Sequence, residues 1–87
     1  MFVILVYDVG EKRVAKALKT ARKYLYWVQN SVLEGEISEA NLRKLKDELK
    51  KLSDESVDSF IFYSFRTTKY YDRDIIGIKK GGQELFL

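Results

Sequence analysis

Phe2-Val3-Ile4-Leu5-Val6-Tyr7-Asp8 decides the fold: six uncharged residues, five of them aliphatic or Phe, run without a break into one carboxylate. A run this short and this apolar, rich in β-branched residues and followed by Gly10, predicts a strand buried on both faces. Asp8 then falls at its C-terminal end, where the chain turns to start a helix. If strand alternation holds through Asp8, this acid shares a face with Phe2, Ile4 and Val6.

Outward from this strand, the spacing predicts a helix over Glu11 to Tyr24. Val14, Leu18, Ala21 and Leu25 form its buried stripe, while Lys12, Lys16, Lys19 and Lys23 recur on the opposite face with Arg13 and Arg22 beside them. This segment holds six basic residues and one acid, a net +5, so the rest of the chain sums to −2. Evenly spaced cations on a rigid rod match a polyanion and gain affinity by counterion release. The competing reading is a solvated face, against which stands the mutual repulsion of lysines four residues apart.

Tyr26 to Ile37 is rich in Val, Trp and Tyr and predicts β structure, with Gln29-Asn30-Ser31 either a bulge in one bent strand or the turn of a tight hairpin. A second helix is predicted from Ser38, a good N-cap, to Leu52, with Leu42, Leu45, Leu49 and Leu52 as its apolar stripe. Its charges mix: Glu39 with Arg43, Lys44 with Glu48 and Asp47 with Lys51 are spaced to pair, as on a solvated structural helix. Ser53 to Ser56 reads as a loop and Val57 to Phe65 as a strand, apolar at both parities through Phe60-Ile61-Phe62-Tyr63. A polar segment, Arg66 to Asp74, precedes the short apolar run Ile75-Ile76-Gly77-Ile78, and Leu85-Phe86-Leu87 near the end are available to dock.

This order predicts one ferredoxin-like α+β domain over residues 1–87, βαββαβ with an extra short C-terminal strand. Two helices in such a fold cover one face of the sheet. Strands apolar on both faces therefore predict that the other face is buried against a second copy, as a two-fold homodimer. Composition points the same way. A chain of 87 residues buries only about 60 to 65% of its unfolded surface, yet 46% of its residues are hydrophobic and 14% aromatic, leaving apolar surface for a partner.

Composition also narrows the chemistry. No Cys excludes disulfides, zinc-thiolate sites and thiol nucleophiles, and no His removes the commonest general base and transition-metal ligand. The N-terminal apolar run lacks a preceding basic region and a small-residue cleavage site, and nothing approaches the roughly 20 apolar residues of a membrane span. A cytoplasmic location without a membrane partner is expected. Phosphate-binding glycine loops and zinc patterns are absent from the sequence.

Asp8 is the candidate catalytic and metal-binding residue. Alone, an acid at a strand end favours a turn or a helix terminus. Two copies facing each other across a two-fold axis would repel unless they share a proton or bind a cation, and Mg²⁺ or another divalent cation takes carboxylates and waters readily. Metal-activated water could then cut a phosphodiester without any His. Glu34 and Glu36 read as solubility residues of an edge strand. The cluster Arg66, Lys69, Tyr70, Tyr71 and Arg73 suits either base stacking and phosphate contact or packing on a neighbour.

Three segments together, Val6-Tyr7-Asp8-Val9, Arg13-Val14-Ala15-Lys16-Ala17-Leu18 and Val28-Gln29-Asn30-Ser31-Val32-Leu33-Glu34-Gly35, resemble the small CRISPR-associated adaptation proteins of the "Cas two" family. The order of elements and the late Ile75-Ile76-Gly77 extend the resemblance over about the whole chain. It implies a ferredoxin-like homodimer in which the C-terminal segment, about residues 66–87, packs on the partner protomer. It further implies a component of spacer acquisition that binds duplex DNA and bridges dimers of the CRISPR integrase. The basic residues Lys12, Arg13, Lys16, Lys19 and Lys23 are the candidate nucleic-acid contacts. A metal-dependent endoribonuclease activity, with Asp8 binding Mg²⁺ at the dimer interface, adds single-stranded RNA as a second nucleic-acid partner. Two departures, the short Val9-Gly10 link after Asp8 and Trp27 where many relatives carry Arg, bear more on the nuclease than on the scaffold. The alternative is a small RNA-binding or toxin-like ribonuclease module that shares the fold only.

Overall fold

The N-terminal run forms β1 (Phe2–Asp8), an inner strand of a four-stranded antiparallel sheet, in a computed structural model that describes residues 1–66 together with Asp74, Ile76 and Gly77. The chain continues through α1 (Glu11–Ala21), β2 (Tyr26–Gln29), β3 (Val32–Glu36), α2 (Glu39–Leu52) and β4 (Ser59–Phe65). In the sheet order β2-β3-β1-β4, β1 lies between β3 and β4, antiparallel to both. This is the ferredoxin-like α+β arrangement that the order of elements predicted. The expected short C-terminal strand and the aromatic-basic cluster beyond Arg66 lie outside the described residues.

The two faces of β1 differ in partner. Val3, Leu5 and Tyr7 are buried with Ala17, Ala21, Leu42, Leu45 and Leu49 from the helices, forming one core. Phe2, Ile4 and Val6 face the other way and are half-buried, and Asp8 continues that row in the open. Next to them on β4, Phe65, Tyr63 and Ile61 stand opposite Phe2, Ile4 and Val6, with Ile61 and Tyr63 47% and 52% exposed. Helices thus cover one face, and an apolar patch remains on the other.

Several boundaries depart from the sequence pattern for local reasons. Helix α1 ends at Ala21, three residues early. Backbone bonds from Lys23 N–H to Thr20 and from Tyr24 N–H to Ala21 tighten the chain, which then drops Leu25 into the core. Ala17, absent from the predicted stripe, is buried alongside Ala21, where small side chains let the helix approach closely. Asn30 adopts the left-handed φ of 41° that a tight turn needs, so Tyr26 to Glu36 is a hairpin, with a register shift at Val28 between Trp27 and Gln29. Strand β4 starts at Ser59 because Asp54 to Asp58 form a compact turn: Val57 and Asp58 N–H groups donate to the Asp54 carbonyl, and Val57 is left exposed.

Helix α2 follows the prediction closely, with the Ser38 hydroxyl accepting from Asn41 N–H at 3.1 Å and Leu42, Leu45 and Leu49 buried. The three i,i+4 ion pairs expected along it are absent among the described residues, and Glu48 is used across the helix pair instead. No helix among the described residues is long and apolar enough to cross a membrane.

Candidate nucleic-acid interface and the Asp8 corner

Asp8 is exposed at the C-terminal end of β1, directly opposite Ser59 in the ladder with β4. It lies on the sheet face away from the helices, as alternation predicted. Two residues later Gly10 opens α1 without a side-chain cap. Tyr7, by contrast, points into the core, where burial pushes its phenol up and keeps it neutral.

A second acid at this corner was not singled out by sequence reasoning. Asp58, just before β4, has a side chain with no solvent exposure. Its Oδ1 accepts from Gly10 N–H at 2.8 Å and Arg13 Nη2 at 2.9 Å, and its Oδ2 accepts from Arg13 Nε at 2.5 Å and Asp54 N–H at 2.8 Å. The Arg13 guanidinium, reinforced by the backbone bonds, holds the carboxyl far below the usual carboxylate range. The signal available in the sequence was the acidic turn Ser53 to Asp58, whose partner only becomes visible once β4 is known to lie beside β1. Arg13 therefore departs from the predicted ridge, because its guanidinium is committed to Asp58 rather than turned to solvent.

The remaining basic residues of the first helix divide in two. Lys12, Lys16 and Lys19 are exposed, and among the described residues no acid lies within ion-pair reach of any of them. Lys23, beyond the helix end, pairs with Glu48 of α2, and the Tyr24 hydroxyl donates to the same carboxylate. The hydrogen bonds from Lys23 and Tyr24 lower the Glu48 carboxyl, while the Lys23 ammonium is raised in turn. Arg22 lies over the Trp27 ring, 5.6 Å from its centroid, and the Trp27 indole N–H donates to the Asn30 carbonyl at 2.9 Å.

Glu34 and Glu36 do not sit on an edge strand, since β3 is internal. Glu34 is 7% exposed, and Glu36 faces the amino terminus at 3.7 Å. Among the described residues no group of three acids, His or Cys converges to hold a metal ion. Among the described residues a single chain brings two exposed acids to the open face, Asp8 at one end of β1 and Glu36 beside Phe2 at the other, and these do not by themselves fit a divalent cation.

Fold and surface together define a small ferredoxin-like domain with a strand-end acid on its open sheet face and a row of exposed lysines on its first helix. The family model described as CRISPR associated protein Cas2 matches residues 1–73, and the chain belongs to that family. A relative from Dictyoglomus turgidum, named CRISPR-associated endoribonuclease Cas2, is 56% identical over 100% of both chains. One of the same name from Thermotoga maritima is 57% identical over 93% of each. A crystal structure of cas2 superposes with a TM-score of 0.83 at 44% identity, covering 92% of this chain and 90% of that one. The relationship therefore extends beyond a shared fold, and the chain is CRISPR-associated.

Proposed function

We propose that the chain serves spacer acquisition in the cytoplasm as a homodimer that binds duplex DNA along α1 and bridges dimers of the CRISPR integrase. The observation that carries this reading is the row Lys12, Lys16 and Lys19, exposed on a rigid helix and free of acids among the described residues. Unpaired ammonium groups at helical spacing follow a phosphate backbone, and each phosphate neutralised releases counterions. The test is the double charge reversal Lys16→Glu/Lys19→Glu. Duplex binding is expected to weaken and the slope of log affinity against log salt to become shallower by about four, two lysines being lost from each protomer of the dimer, with the fold intact by circular dichroism. Binding with an unchanged slope would remove α1 from the interface.

A second reading is a metal-dependent endoribonuclease centred on Asp8. It is favoured by the exposure of Asp8 on the open face and by the activity in the names of both curated relatives. Among the described residues one chain offers too few ligands, so the reading requires the Asp8 of a second copy, and the two Asp8 side chains would together hold Mg²⁺ or another divalent cation. Such an ion, when bound, would supply activated water for cleavage of single-stranded RNA. The chain's own part is to present the Asp8 side chain accessible at a fixed strand end. Asp8→Asn is expected to abolish Mg²⁺-dependent cleavage while leaving the melting temperature within a few degrees, since the side chain is solvent-exposed. Cleavage at the wild-type rate by that variant would exclude Asp8 as the site.

A further inference from the structure

We infer that Asp58 is a positioning residue for Asp8, clamping the turn that carries the Asp8 carboxylate onto the start of β4. The turn Asp8-Val9-Gly10 is attached at both ends to consecutive residues: Asp8 pairs with Ser59 in the ladder, and Gly10 N–H donates to Asp58 Oδ1 at 2.8 Å. Arg13 brings the first turn of α1 to the same carboxylate through Nε and Nη2, and the Asp54 N–H brings the loop after α2. Strand end, helix start and loop thus converge on one anion. Gly10 has no side chain with which to cap α1, so fixing this corner falls to a residue 48 positions away.

The clamp is also closely fitted. A Cβ on Gly10 would stand 2.6 Å from Arg13 Nη2, so the backbone there approaches the guanidinium as no other residue could without displacing it. Enclosed on every side and filled by four N–H donors, the Asp58 carboxylate is not available to a substrate. Its influence passes through the backbone of the turn to Asp8. A reacting group held by an over-determined turn keeps its geometry, whereas a misplacement of about 1 Å costs on the order of 100-fold in rate.

The inference rests on the endoribonuclease reading of Asp8, and its test separates the two. Wild type, Asp58→Asn, Asp8→Asn and the double variant are compared in Mg²⁺-dependent cleavage of a single-stranded RNA oligonucleotide, and the Gly10 and Asp8 amides are followed by nuclear magnetic resonance. Asp58→Asn is expected to lower kcat roughly 10- to 100-fold with KM within about twofold. Its Gly10 amide should move upfield, Asp8 amide exchange should quicken, and the double variant should be no slower than Asp8→Asn alone. A wild-type kcat in Asp58→Asn, once the Gly10 shift shows the clamp broken, overturns the proposal. If Asp8→Asn itself cleaves normally, the nuclease reading fails. The clamp is then judged by Asp8 amide exchange in Asp58→Asn, faster exchange supporting it and unchanged protection overturning it. Should Asp58→Asn not fold, Arg13→Lys keeps the charge but loses the two-pronged grip, and the same measurements apply with a smaller drop in kcat.

Discussion

Asp8 and Asp58 occupy one corner of the sheet and have opposite environments: the first lies open on the bare face, the second is sealed by Arg13 and backbone N–H groups. The ionisation of Asp58 is tied to stability. In the unfolded chain Asp58 returns to a carboxyl of about 3.9, while in the folded chain the Arg13 guanidinium holds it well below that. The unfolded state therefore binds more protons in acid, and stability falls as pH falls. The contribution of this group is complete above the ordinary carboxylate range and is lost as pH drops through that range toward the folded value. Melting temperature is expected to be nearly flat from about pH 8 to 5 and to decline below, with a shallower decline in Asp58→Asn. Glu48 and Asp54 are lowered too, by Lys23 and by Ser56, so some acid sensitivity persists in the variant. Identical acid limbs in the two proteins would show that the Arg13 pair does not set this dependence.

At the scale of elements, α2 contributes three buried leucines to the core, Leu42, Leu45 and Leu49. Leu45 has no solvent exposure and meets the sheet between Leu42 and Leu49, so Leu45→Ala is expected to cost about 2–5 kcal/mol in denaturant unfolding, the range for a buried leucine. A cost under about 1 kcal/mol would mean that the site collapses around the cavity. This element was readable in advance because its N-cap, its leucine spacing and its polar face all act within a few residues. Where α1 stops was not, because Leu25 leaves the helix to fill a core assembled from distant strands. The hairpin stayed ambiguous for a similar reason: Asn30 permits a left-handed turn, but the register that produces it is set by pairing with β3. The site divides along the same line. Asp8 and the lysine row follow from local alternation and helical spacing, whereas the Asp58 clamp joins segments 45 and 48 residues apart and needed the sheet order to be seen.

For the whole molecule the outstanding feature is the sheet face that the helices leave open. Phe2, Ile4 and Val6 of β1 are half-buried there, and Ile61, Tyr63 and Phe65 of β4 are 47%, 52% and 36% exposed. Apolar side chains grouped on one flat surface are costly to leave in water, at about 25 cal/mol per Å², and a second copy is the simplest cover in the dimer proposed above. Ile61 belongs to this surface and not to the core shared with the helices, so Ile61→Asp places a charge in the proposed interface while sparing the folded protomer. Sedimentation equilibrium at micromolar protein should then return a mass near 10.2 kDa for the variant and twice that for wild type. Loss of the dimer should also reduce the salt slope for duplex DNA, since each protomer contributes one lysine row. Persistence of the dimer in Ile61→Asp would place the interface elsewhere. The two Asp8 carboxylates would then lose the two-fold arrangement through which a cation could join them, and the nuclease reading would lose its geometric basis while DNA binding along α1 would not.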